Sequence, residues 1–159
     1  MDHMQLLAVI FQGIPESLVV FAFGVAVVGE YLNWKRILIC AIIVPFLMMV
    51  VRAIVPIFGP HIVISLIVTF IFFWKIIKLD LKKAIFSSLL SMCILLLLEI
   101  FILPIFYNIW NTTLFETYNN TFQRILFPYP VLIIYAIFTF IIYKFKFALF
   151  KGDRVNTDE

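Results

Sequence analysis

The sequence predicts an all-α fold, a polytopic bundle of about five transmembrane helices with the N-terminus outside and the C-terminus in the cytoplasm. Three observations predict it. The chain is 65% hydrophobic and only 13% charged. Its apolar residues fall in long continuous runs, and its basic residues gather at alternate connections between those runs. A soluble domain is about 45–50% apolar and about 25% charged. A soluble chain of 159 residues has too much surface for its volume to hide such an excess, and the mean hydropathy of +1.15 points to a bilayer as the solvent.

The runs cover about residues 5–29, 37–57, 60–77, 85–105 and 125–143. A helix needs about 20 apolar residues to cross the hydrocarbon core. A barrel strand would instead read as about ten residues of alternating character. The first run reads as a retained span, because Asp2 and His3 precede it in place of a basic leader and Glu16 interrupts its centre. Proline removes a helical hydrogen bond, so Gly13-Ile14-Pro15 predicts a kink or break in the first span and Pro45 a bend in the second. Phe58-Gly59-Pro60 is a turn signal that opens the third span at Pro60. Pro104 is expected to stop the fourth, and Pro128 and Pro130 lie near the start of the fifth. Residues 1–150 form one transmembrane domain, and 151–159 a short tail.

Orientation follows from Lys and Arg. Lys35 and Arg36 follow the first span. Lys75, Lys78, Lys82 and Lys83 follow the third, and Lys144, Lys146, Lys151 and Arg154 follow the fifth. These are ten of the twelve basic residues, and only Arg52 and Arg124 remain for the other side. That bias assigns the three segments to the cytoplasm. Trp34, Trp74, Tyr107, Trp110, Tyr129 and Tyr143 sit where interfacial aromatic belts belong. Lys78, Lys82 and Lys83 are expected to face anionic headgroups. The outer segment Phe106–Arg124 is rich in Asn and Thr. Its Asn111-Thr112-Thr113 and Asn119-Asn120-Thr121 sequences match a glycosylation pattern that such composition produces by chance.

Several function classes are excluded. The net charge of +3 arises from residues flanking apolar runs, so nucleic-acid binding is not expected. Cys40 and Cys93 lie inside apolar runs and read as small packing residues. No HExxH motif, Ser/His or Cys/His pair or paired aspartates occur in the spans, so neither an enzyme nor a metal or cofactor site is expected.

Four ionisable residues lie within or against the spans: Glu16, Arg52, His61 and Glu99. A charge at the bilayer centre costs about 2.5–3.5 kcal/mol on insertion scales, so such groups turn inward and pair. The topology puts all four in the outer half. Ala84, Ser88, Ser91, Leu95 and Glu99 recur at steps of three and four, which makes one packing face of small residues that includes Glu99. Gln5, Gln12 and Glu16 share a face in the first span, and Gly13 with Ser17, and Ala22 with Ala26, offer close-packing pairs. Two readings stand. Arg52 neutralises Glu99 or Glu16 as a structural staple, or the group lines a polar pocket that binds a ligand, ion or peptide. His61 after Pro60 fits a capping or solvated role as well as a ligand-binding one.

The elements Ile14-Pro15-Glu16-Ser17, Trp34-Lys35-Arg36-Ile37, Arg52 with Pro56, Gly59 and His61, Lys82-Lys83-Ala84-Ile85 with Glu99, and Pro128-Tyr129-Pro130 together cover most of the chain. In this arrangement the chain resembles the N-terminal membrane-sensing regions of quorum-sensing-type sensor histidine kinases of low-GC Gram-positive bacteria. Those kinases carry a phospho-acceptor helix and an ATP-binding domain after the last span, whereas only Lys144–Glu159 follows here. The resemblance implies a detached sensory or accessory module in a bacterial cytoplasmic membrane, acting through a protein partner such as a kinase. The alternative is a transport component, such as the substrate-capture subunit of a vitamin or ion importer. Ala22-Phe23-Gly24-Val25-Ala26 would suit docking there, although five spans is one short of the usual six.

Overall fold

The computed structural model describes Leu7 and residues 9–54, 60–109 and 126–145, with 52–54, 60 and 61 described in backbone only. Most of the described residues are helical, and none of them forms a strand. Helix α1 is a π-helical segment, Val9–Gly13, continued by an α-helix, Ile14–Val28. Then come α2 (Trp34–Ile54), α3 (Pro60–Lys75), α4 (Leu81–Ile109) and α5 (Tyr129–Lys144). Three of these are long and apolar enough to cross a membrane: Val9–Val28, the Trp34–Val51 part of α2, and α4. Helices α3 and α5, at 16 residues each, reach about 24 Å at 1.5 Å per residue, short of the ~30 Å core.

The element boundaries follow from local chemistry. Near Pro15, where a kink or break is expected, the helix runs on without interruption and changes from π- to α-helix. Gly29, with φ of 78°, ends α1 in a left-handed cap, where Gly29 N–H bonds Ala26 O and Glu30 N–H bonds Val25 O. Helix α2 begins at Trp34, before the expected residue 37, because Asn33 precedes it as a cap. The Arg36 amide bonds Asn33 Oδ1 at 3.4 Å. Helix α4 departs from expectation at both ends. It begins at Leu81, which brings Lys82 and Lys83 inside the helix, and it runs through Pro104 to Ile109. A proline in an apolar helix removes one donor and bends the axis without ending it when neighbouring groups cover the freed carbonyl. Phe106–Ile109 are therefore helical rather than part of the outer connection. Phe58 and Gly59, Trp110, Arg124, both Asn-X-Thr sequences, Gln5 and the tail from Lys146 lie outside the described residues.

Helix α1 is the centre of the bundle. From Gln12 to Val19 it is half-buried, and from Val20 to Val28 every residue is buried. It packs against α2, α4 and α5. One core cluster joins Phe21, Val25 and Val28 of α1 to Ile37, Cys40 and Val44 of α2 and Phe73 of α3. A second joins Val20, Phe23 and Val27 to Leu95 of α4 and Val131 and Tyr135 of α5. Between the clusters sits Gly24. A Cβ there would stand 2.8 Å from both Phe73 Cε1 and Ser91 Oγ, well inside the 3.4–4 Å of ordinary contact. Only glycine lets α3 and α4 approach this closely. Ser87 Oγ donates to Gly24 O at 2.9 Å across the same contact.

The expected packing face of α4 is present. Ala84, Ser88, Ser91 and Leu95 are buried, and Ser87 and Lys83 join them. Among the described residues no α4 side chain beyond Leu95 is buried, so α4 packs tightly over its first half only. Ala22 and Ala26 are also interior, each 5% exposed. Segment 22–26 therefore cannot be a docking face for a transport partner, since α2, α4 and α5 already cover it. Large apolar side chains such as Ile42, Ile67, Leu97, Phe101 and Phe140 form the exterior, the surface that hydrocarbon would cover.

Candidate functional site

Bonds at the two ends fix how the helices align. Lys83 Nζ lies 2.7 Å from Glu30 Oε1, joining the start of α4 to the end of α1. Arg36 Nη1 donates to Ile77 O at 3.1 Å, joining the start of α2 to the segment after α3. The two basic connections therefore share one end of the bundle. Tyr129 Oη donates to Phe11 O at 2.7 Å, which places the start of α5 beside the start of α1. Helix α5 thus runs parallel to α1, and Lys144 leaves at the end where the other basic segments lie. That end is called inner below and the opposite one outer.

The Tyr129 bond has a chemical cause. In an α-helix the amide four residues on would bond Phe11 O, but residue 15 is proline and has no N–H. Tyr129 supplies a donor to this carbonyl from outside the helix, as neighbouring side chains do where a proline disturbs a membrane helix.

Glu16 follows at once, in the first α-helical turn of α1. It stands one turn outward of Val20 and two of Phe23, so it shares their face, the one turned to α4 and α5. Glu99 stands one turn outward of Leu95 and one inward of Ile102 and Leu103, all packed in the same cluster. The two carboxylates therefore belong to one seam. They also belong to one depth. Gly24 faces Ser91, and eight residues outward along each antiparallel helix lead to Glu16 and to Glu99, about 12 Å above that contact. Both are half-buried, both engage further groups, and Glu16 lies within electrostatic reach of Tyr135. Below them the seam closes. Phe23 packs on the Tyr135 ring at 5.1 Å, Tyr135 Oη donates to Ser91 O at 3.0 Å, and Ser91 Oγ donates to Ser87 O at 2.6 Å.

Arg52 and His61 can be placed by backbone alone. They lie on α2 and α3, on either side of residues 55–59, and their side chains are outside the described residues. Gly13 rests against Pro45 of α2. Arg52 is seven residues further along α2, so its backbone stands about 10 Å outward of that contact. The backbone positions thus bring Glu16 and Glu99 together and set Arg52 nearer the outer mouth.

The chain matches no protein-family model, no curated protein and no solved structure. Function must therefore be argued from the residues.

Sequence reasoning missed two features. Lys83 does not face headgroups. Its side chain is 8% exposed and bonds Glu30, with Asp80 Oδ2 at 3.9 Å. The signal was available, since Glu30 and Asp80 are the only acids among the basic residues of their connections. Tyr129 reads as a belt residue and Tyr135 carries no signal of its own, yet both hydroxyls bridge helices. Among the described residues no group of His, Cys, Asp and Glu could hold a metal ion. Two carboxylates at one depth of an apolar seam repel unless a proton or a positive group stands between them. Chemically, the seam can respond to a proton, a cation or a cationic side chain entering from the outer side.

Proposed function

We propose that this chain is a non-enzymatic sensory or accessory protein of a bacterial cytoplasmic membrane, with five spans, the outer end outside and the inner end in the cytoplasm. It acts through a protein partner. Glu16 and Glu99, with Arg52 and His61 toward the mouth, form the outward site that receives the signal. One inference from helix register carries this reading: Glu16 and Glu99, both half-buried, fall at one depth along one seam, two turns outward of the Gly24–Ser91 contact. Both carboxylates already engage neighbouring groups, so an incoming proton or cation would act by rearranging those interactions. Support for the orientation comes from the gathering of basic segments at the inner end. The resemblance to the sensing regions of histidine kinases points the same way. The transport alternative loses its proposed docking segment, because residues 22–26 are interior.

The test is functional pairing. After mild solubilisation the chain should co-purify with a defined membrane partner, and Glu16→Gln with Glu99→Gln should leave that complex intact while abolishing its response to the external signal. If the isolated protein alone transports or transforms a substrate in vesicles, the accessory reading fails.

A further inference from the structure

The inner end divides its charges between two sides. Glu30 and Asp80 both turn to Lys83, at 2.7 Å and 3.9 Å. The acids of the inner connections are thereby gathered on the α1/α4 side. On the opposite side, where α2 begins and α3 ends, no acid is found among the described residues of those two helices. Neither α2 nor α3 contains an acidic residue. The Arg36–Ile77 bond ties these two helix ends together. Lys35 adjoins one partner of that bond, and Lys75 and Lys78 flank the other; all three lysines are exposed.

The aromatic residues at this rim are arranged rather than scattered. Lys75 Nζ sits 3.9 Å from the centre of the Trp74 ring, and Phe70 stacks on Trp74 at 6.3 Å. Trp34 and Trp74 are 53% and 40% exposed, the posture of rings at a headgroup boundary. Lys78 is the one described non-glycine residue with positive φ, at 66°. Glycine takes that conformation most readily, yet the turn carries a long cation there. Outward from the rim, Leu38, Ile39 and Ile42 of α2 and Ile67 and Ile71 of α3 are exposed and continue an apolar surface.

We infer that the inner rim between α2 and α3 binds the phosphate headgroup of an anionic phospholipid. Lys35, Arg36, Lys75 and Lys78 meet the phosphate, Trp34 and Trp74 flank it, and the acyl chains lie along the exposed faces of α2 and α3. The apolar surface below the cations is what selects a lipid over a soluble phosphate. The site is independent of the outer carboxylates.

Native mass spectrometry of the full chain, released from nanodiscs of phosphatidylcholine with phosphatidylglycerol, tests this. Phosphatidylglycerol should be retained preferentially. Lys75→Gln with Lys78→Gln should lower retention roughly tenfold or more, given about 1 kcal/mol per interfacial lysine. Lys82→Gln with Lys144→Gln removes the same charge elsewhere and should change it less than about twofold. Equal loss in both double variants would mean diffuse attraction only and would overturn the site. If millimolar inorganic phosphate displaces the lipid completely, the occupant is a soluble phosphate and the lipid assignment fails. Lys78→Gly separates fold from binding. It relieves the left-handed backbone, so thermal stability should hold or rise while retention falls, and unchanged retention would overturn the role given to Lys78.

Discussion

Gly24→Ala is the sharpest probe of the bundle's centre. The added methyl would meet Phe73 Cε1 and Ser91 Oγ at 2.8 Å. Neither neighbour can simply turn away. Phe73 is fully buried against Phe21, with ring centres 4.9 Å apart, and Ser91 is fully buried and bonded to Ser87 O. Helices α3 and α4 must move apart from α1, and overpacking of this kind costs about 1–3 kcal/mol. The retreat also stretches the Ser87–Gly24 bond, and interhelical bonds in membranes average about 0.6 kcal/mol. Alanine gains about 1 kcal/mol of helix propensity over glycine. The net expectation is a destabilisation of about 1–2 kcal/mol. It should be read by equilibrium unfolding in mixed micelles with increasing denaturing detergent. Phe73→Leu alone should also destabilise, by leaving a cavity, but combined with Gly24→Ala the new methyl occupies part of that space. The double variant should therefore be more stable than the sum of the two losses implies. Additive losses, or a Gly24→Ala protein as stable as the parent, would refute the close approach of the three helices.

Breaking the inner pair with Glu30→Gln strands the buried Lys83. With Glu30 itself about one-third exposed, the loss should be about 1–2 kcal/mol in the same unfolding assay, and Lys83→Met added to it should restore part of the stability. Tyr129→Phe removes the donor to Phe11 O at a cost of about 1 kcal/mol, and hydrogen exchange should rise in Val9–Gly13 but not in Val20–Val28. Reporter fusions after Arg36 and Lys83 should read cytoplasmic and one near Asn119 external; a cytoplasmic signal at Asn119 would end the five-span reading. Arg52→Leu and Glu99→Leu should each lower folding yield. A double variant that recovers yield would mark a pair, and additive losses would mean that the two residues do not interact.

Helix positions were legible because they rest on run length and proline chemistry, which are local. The packing face of α4 was legible because Ala84, Ser88 and Ser91 are small and periodic. The error at Pro104 came from treating a lost donor as an end, when an apolar helix only has to re-satisfy one carbonyl. Lys83 was misread for a different reason. A lysine beside an apolar run looks the same whether it points to headgroups or into the bundle, and only the placement of Glu30 decides. Depth was readable for Glu16 and Glu99, but not the seam they share, because that depends on the register set by Gly24 and Ser91, residues 67 positions apart in the chain. The depth of the Arg52 backbone depends likewise on where Gly13 meets Pro45.

The enclosure of α1 has a consequence for how the protein is made. Helix α1 is made before the elements that enclose it, and its finished environment is supplied by α2, by the front half of α4 and finally by α5. Until Tyr135 and Val131 arrive, Val20, Phe23 and Val27 must be covered by lipid or by an insertion chaperone, and Phe11 O must wait for Tyr129. Of the described helices, the earliest made is thus the last to be fully enclosed. A chain arrested before α5 would hold α1 in the membrane with one flank open, ready to take a helix from another molecule in place of its own.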